Sequence, residues 1–127
     1  MSDLVLVGPF WTRDEAASYL GITGAQLLAR TDLVRLNGRW LEETYPAFQF
    51  RDNEVRYEVA TIVAAVGTEL PGPAIADWLC RVNALLGGIS PLDWFNTASD
   101  IQAPLTAIHA DMEDVLRRAE IPTAKAV

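Results

Sequence analysis

One cysteine and one histidine occur in the whole chain, and each scarcity removes a class of chemistry. A lone Cys80 excludes an internal disulfide framework and a zinc ribbon, both of which need paired thiols. A lone His109 leaves no second imidazole to complete a metal site or a proton relay. Basic residues are also few: ten Lys and Arg stand against seventeen Asp and Glu, a formal net charge of −7 with a pI near 4.5. Nucleic acids and membrane surfaces are both anionic, so this balance argues against a general binder of either and fits a basic protein partner or plain solubility. The longest near-apolar run, "VATIVAAVG", is too short to cross a bilayer. The start, "MSDLVLVGPF", lacks the basic region and the longer apolar stretch of a secretory signal. These features lead to the expectation of a cytoplasmic protein without membrane contact. Internal repeats and low-complexity segments are missing too.

What is present is ample apolar material. Half the residues are hydrophobic and mean hydropathy is +0.14, enough for one compact domain or two small subdomains sharing a core. "WTRDEAASYLGITGAQLLART" reads as two short helices. Thr12 with Glu15, and Thr23 with Gln26, have the capping-box spacing in which each side chain satisfies an orphan backbone donor. Gly21 can end the first helix at positive φ, and Leu27 and Leu28 give the second its buried side. Two helices about a three-residue turn resemble a helix-turn-helix. Asn37-Gly38 between Leu33–Leu36 and Arg39–Leu41 predicts a β-hairpin. "YPAFQFRDNEVRYE" reads as a connection anchored by Phe48 and Phe50.

From Val55 onward the pattern is helical. Val59, Ile62, Val63 and Val66 share one face, with Gly67 as C-cap. Ile75, Trp78, Leu79 and Val82 form a second stripe. After Gly87-Gly88, Ser90 is expected as N-cap, Pro91 as the first helical residue and Asp93 near the positive end of the dipole. A last helix is predicted from about Asp100 to Ala119, with Leu105, Ile108, Met112, Val115 and Leu116 inward. Pro122 is expected to end it and to leave "EIPTAKAV" as a loose tail. The fold expected is mainly α: a short helix-turn-helix with a small β-hairpin over residues 1–44, then a helical bundle over 45–127.

Catalytic readings are weak. Cys80 follows Trp78-Leu79 in a packed helix, where cysteine is inert rather than nucleophilic. His109 falls between the apolar positions of the last helix and reads as solvated. Asp111, Glu113 and Asp114 read as a solvated helix flank without the alternating ligands and glycine of a calcium loop. Gly87-Gly88 precedes a helix but has no Lys or Arg between Asn83 and Ser99 to hold a phosphate, so the pair reads as a chain reversal. No enzyme, metal or cofactor is expected. Trp94-Phe95 cannot both point at one neighbour, and one of them could face a partner. For DNA, the second helix offers Thr23, Gln26 and Arg30, with Arg39 on the hairpin. Residues 1–50 nevertheless carry four arginines against six acids, which favours a structural or dimerising use of this unit, and with it a homo-oligomer.

The ordered set Tyr45-Pro46-Ala47-Phe48-Gln49-Phe50, then Trp78-Leu79, then "NALLGGISPLD" from Asn83 to Asp93, then a terminal helix, resembles the toxin-binding domain of the Xre/MbcA/ParS-type antitoxins. The resemblance spans roughly Tyr45 to Ala119. It implies an antitoxin of a type II toxin-antitoxin pair, whose helical bundle binds a RES-type, NAD-consuming toxin and occludes its active site. It implies toxin contact through Trp78, Asn83, Leu86, Gly87, Gly88, Pro91, Trp94, Arg117, Arg118 and Lys125, with residues 117–127 as a candidate plug for the pocket. Operator DNA is the second partner the family implies, with transcriptional regulation as the alternative role. The first 44 residues are shorter than an Xre-type unit and closer to a small winged or excisionase-like reader, so toxin binding is the stronger expectation.

Overall fold

The computed structural model describes residues 8–36, 43–98 and 100–125, with side chains described as far as Arg117. It is mainly helical, as expected from the apolar periodicity. Strand β1 (Phe10–Trp11) leads into α1 (Arg13–Leu20) and α2 (Gly24–Ala29). Both capping boxes are formed. The Glu15 N–H donates to Thr12 Oγ1 at 3.2 Å while the Thr12 N–H donates to Glu15 Oε1 at 2.8 Å. The Gln26 N–H reaches Thr23 Oγ1 at 3.0 Å, and Gln26 Oε1 accepts from the Thr23 N–H at 2.9 Å. Gly21 takes φ 71°, the left-handed cap that lets α2 fold back on α1.

The chain then returns to its start. Strand β2 (Tyr45–Pro46) pairs antiparallel with β1, Trp11 opposite Tyr45. Leu36 and Thr44 exchange both backbone hydrogen bonds at 2.8 Å, an isolated antiparallel bridge. The predicted Asn37-Gly38 turn and Arg39 lie outside the described residues. Leu33 to Arg35, expected as a strand, make no ladder of their own. A buried side chain takes the place of the partner strand: Gln49 Oε1 accepts from the Val34 N–H at 2.6 Å, and Gln49 Nε2 donates to the Val34 carbonyl at 2.8 Å. The amide satisfies both polar groups of one buried residue, as a ladder would.

"YPAFQFRDNEVRYE" is more than a connection. After a 3₁₀ turn at Ala47–Gln49, strands β3 (Phe50–Arg51) and β4 (Glu54–Val55) form a tight hairpin. Asp52 and Asn53 have φ 55° and 64°, the two positive values that a type I′ turn requires.

Four helices complete the fold: α3 (Tyr57–Val66), α4 (Gly72–Cys80), α5 (Pro91–Thr97) and α6 (Gln102–Lys125). Val59, Ile62, Val63 and Val66 of α3, and Ile75, Trp78 and Leu79 of α4, are buried against Ile108 and Val115 of α6, with Leu105, Met112 and Leu116 packed at its margin. Val82 departs from the expected stripe. Helix α4 stops at Cys80, Arg81 caps it in extended backbone, and Val82 is thrown out to 70% exposure. Helix α6 also departs from expectation by running through Pro122 to Lys125. Proline forfeits the single rung to the carbonyl four residues back, and the chain keeps helical geometry beyond it.

Two apolar clusters result. The larger is built from α3 to α6 with Val34 and Leu36, and the smaller from Ala16, Ala17, Leu27, Leu33, Tyr45 and Phe50. Trp11 stacks on Phe50 at 5.1 Å and nearly parallel, with Tyr19 tilted against both rings. Segment 45–50 serves both clusters, since Tyr45 and Phe50 fill the smaller one while Phe48 packs on the larger. A polar network closes the seam. Arg13 pairs with Glu43 at 2.7 Å, the Tyr45 hydroxyl donates to Glu43, and Arg35 Nε donates to that hydroxyl at 2.9 Å. Arg35 Nη2 then reaches the Leu27 carbonyl at 3.1 Å, tying α2 to the same point.

Candidate functional site

The loop from Arg81 to Ser90 holds the Asn83, Gly87-Gly88 and Ser90 positions singled out in the sequence, and its geometry accounts for them. Arg81 grips the buried Asp77 one turn earlier, with Nη2 donating to Oδ1 at 2.8 Å and Nε to Oδ2 at 3.3 Å. Asn83 is the hub. Its N–H donates to the Ile89 carbonyl at 3.0 Å, and its own carbonyl accepts from Leu86 at 3.0 Å and Gly88 at 2.9 Å. Its side-chain Oδ1 accepts from the Leu85 N–H at 2.8 Å, capping the 3₁₀ turn Ala84–Leu86, while Nδ2 donates to Asp111 Oδ2 at 2.8 Å. The side-chain amide supplies an acceptor and a donor on separate atoms at this one place. Asp111 Oδ2 also accepts from Trp78 Nε1 at 3.2 Å. Trp78, Asn83 and α6 are thereby held on one carboxylate. Asp111 is not part of a solvated flank, as its sequence context suggests; it faces the core and joins three elements.

Gly87 and Gly88 follow with φ 75° and 85°. Two consecutive left-handed residues reverse the chain, which is the role expected for them. Leu86 then anchors the turn at 2% exposure, and Ser90 Oγ accepts from the Asp93 N–H at 3.1 Å to start α5 on the buried Pro91. What this frame presents is apolar: Val82 and Leu85 are 70% and 59% exposed, beside the exposed Gly87 and Gly88. Large exposed aliphatic side chains on a loop held by this many hydrogen bonds form a rigid knob.

The structure sorts the residues singled out in the sequence into two kinds. Trp78, Asn83, Leu86 and Pro91 are buried and position the loop; Gly87 and Gly88 lie on its surface. Trp94 is half-buried, its Nε1 donating to the Asp100 carbonyl at 2.8 Å, whereas its neighbour Phe95 is in the core. Arg117 is exposed and paired with Asp114. The side chains of Arg118 and Lys125 lie outside the described residues. Val82 and Leu85 escape a reading by periodicity because a helical stripe assumes that the helix continues. The usable signal is the Asn-x-Leu sequence, whose Asn side chain competes for backbone donors and ends the regular structure.

The polar side chains singled out on α2 and its caps bond within the chain. Thr23 and the Gln26 carbonyl oxygen are engaged in their capping box, and Arg30 is forked onto Asp32 at 2.9 and 2.6 Å. The groove on α1 is lined by Trp11, Asp14, Glu15, Ser18 and Tyr19, two of them carboxylates. His109 Nδ1 bonds the Leu105 carbonyl of its own helix at 2.8 Å, and Cys80 is half-buried. Among the described residues no group of three or more His, Cys, Asp or Glu side chains is placed to hold a metal, and no helix is long and apolar enough to cross a membrane. No protein-family model matches the chain, and neither a curated protein nor a solved structure matches it.

Proposed function

We propose that this chain is an antitoxin-type binding module that neutralises a RES-type, NAD-consuming toxin through the Arg81–Ser90 loop and the adjoining face of α6. The observation that carries the reading is the fixed apolar knob of Val82 and Leu85 on the Asn83–Asp111–Trp78 frame. Exposed aliphatic side chains on a preorganised loop lose little entropy on docking, so their burial contributes to affinity nearly in full. Trp78 and Asn83 of that frame also belong to the ordered set that carries the family resemblance, which supports the reading from a second side. The net charge of −7 favours a partner whose nucleotide pocket is basic, through faster and better oriented encounter. On this reading the chain does no chemistry, acts in the cytoplasm, and is a stoichiometric inhibitor.

The test is co-expression with the RES-type product of an adjacent reading frame. Wild-type chain restores growth and co-purifies with the toxin. A Val82→Ser, Leu85→Ser double variant loses about 2 kcal/mol per side chain of apolar burial, about 4 kcal/mol together, which weakens binding by roughly a thousandfold. Its melting temperature stays within about 2 °C of wild type, because both side chains are already in solvent. A double variant that neutralises as well as wild type overturns the assignment of the knob, and a toxin left fully active by equimolar wild-type chain overturns the function.

A further inference from the structure

Four described arginines meet a carboxylate through a direct hydrogen bond: Arg13 with Glu43, Arg30 with Asp32, Arg81 with Asp77 and Arg117 with Asp114. Arg35 bonds instead to the Tyr45 hydroxyl and the Leu27 carbonyl, and the remaining two meet at a single spot, where the β3–β4 hairpin runs into α3. Arg51 on β3 and Arg56 at the N-cap of α3 both donate from Nη2 to the same acceptor, Oδ1 of Asn96 on α5, each at 3.1 Å. Two cationic groups are thus brought within about 6 Å of one another by a neutral amide oxygen, although like charges at that separation repel.

Compensation is incomplete. Arg56 is only 8% exposed, and its Nε is buried without a hydrogen-bond partner, the nearest carboxylate oxygen being Glu58 Oε1 at 3.6 Å. Among the described residues no other carboxylate comes within 4.0 Å of either guanidinium. Burial first, and then the charge of Arg51, push the Arg56 pKa below the ordinary arginine value. The helix end adds the same sign, since α3 starts at this point with no side-chain cap on its first-turn N–H groups. Asn96 and Arg51 are both exposed, so the place where the two guanidiniums converge is open to a ligand.

We infer that Arg51, Arg56 and Asn96 form a carboxylate-binding site, in which Asn96 Oδ1 holds the position that one carboxylate oxygen takes in the complex. The charge sum selects the ligand class. Two guanidiniums and Glu58 leave one net positive charge, which a carboxylate neutralises and a phosphate dianion overshoots. The overall charge of −7 further disfavours polyanions, leaving a single acidic side chain of a partner protein or a small carboxylic acid as the source. This inference rests on no part of the toxin-binding reading.

The arginine side-chain NMR signals of the full chain provide the test, titrated with sodium acetate at ionic strength held constant by chloride. The Arg51 and Arg56 Nε–H resonances shift saturably, while those of Arg13 and Arg30, already engaged, do not. Arg51→Gln weakens the response at least tenfold. Asn96→Asp supplies the carboxylate from within; it raises the melting temperature and abolishes the acetate response. A blocked Ala-Glu-Ala peptide that binds more tightly than acetate assigns the site to a protein side chain, and the reverse order assigns it to a small acid. Shifts reproduced by chloride alone, an unchanged response in Arg51→Gln, inorganic phosphate binding more tightly than acetate, or a lowered melting temperature in Asn96→Asp would each overturn the inference.

Discussion

Asp111→Ala is the most informative single change, because it removes one atom's worth of acceptor from two buried donors. Trp78 Nε1 at 3.2 Å and Asn83 Nδ2 at 2.8 Å both end on Asp111 Oδ2. Trp78 is 1% exposed, so its orphaned N–H costs about 2 kcal/mol. Asn83 at 9% exposure lies nearer the surface and rehydrates in part, which adds about 1 kcal/mol. The sum, about 3 kcal/mol, corresponds to a fall of roughly 10 °C in melting temperature for a chain of this size. Asp111→Asn keeps an acceptor oxygen in place and loses only the charge-assisted part, about 1 kcal/mol. Urea titration of both variants measures these values. Amide exchange adds a local readout: the N–H groups of Leu85 and Gly88, which bond to Asn83, lose protection ahead of those in α3. If Asp111→Ala comes within about 0.5 kcal/mol of wild type, the carboxylate does not hold the loop, and the account of the loop as a rigid frame fails with it.

Three further changes probe other parts of the fold. Gly72→Ala sets a Cβ 2.1 Å from the Arg35 carbonyl oxygen, a backbone atom that cannot swing aside, so the start of α4 must separate from residue 35 at a cost of about 2–3 kcal/mol by thermal melting. Gly87→Ala meets no atom within 4 Å but must hold φ at +75°; it costs about 1 kcal/mol, and Gly87→Asn costs less. Glu43 is held below its usual value of 4.5, mainly by the Arg13 hydrogen bond and then by that from Tyr45. A depressed folded-state pKa contributes stability that is present above the unfolded value and lost as pH falls through the folded one. Glu43→Gln therefore flattens the acid limb of urea midpoint against pH below about 4.5, without removing the share due to Asp32, which Arg30 holds low in the same way.

Elements governed by neighbours in sequence were legible in the chain. Both capping boxes, the Gly21 cap, the Ser90 cap ahead of Pro91, and the inward faces of α3 and α6 follow from spacing alone, because the groups that satisfy one another lie three or four residues apart. The β3–β4 hairpin was legible in principle: Asp52-Asn53 tolerates positive φ nearly as well as Asn-Gly, but strands of two residues leave no alternation to notice. What could not be read locally depends on partners far along the chain. Gln49 stands in for a strand across fifteen residues, and Asp111 reaches Trp78 across thirty-three, so nothing beside either residue announces its role. The knob was obscured for a related reason. Val82 continues the arithmetic of a helical stripe, and only the backbone turn at Arg81 takes it out of the core.

The pairing of Trp11 with Tyr45 has a bearing on how such a molecule can change over evolution or by engineering. A cut placed at residue 45 looks like a clean junction between a reader and an effector half, yet it would strip the cover from Tyr45 and Phe50 and leave two aromatic rings bare. Chimeras that graft a new front end onto the bundle must therefore carry a replacement for the Trp11–Tyr19 lid, and moving the splice to the turn at Asp52 and Asn53 does not escape this, because Asn53 bonds through its N–H to the Tyr19 hydroxyl and through Nδ2 to the Tyr19 carbonyl, both at 3.1 Å.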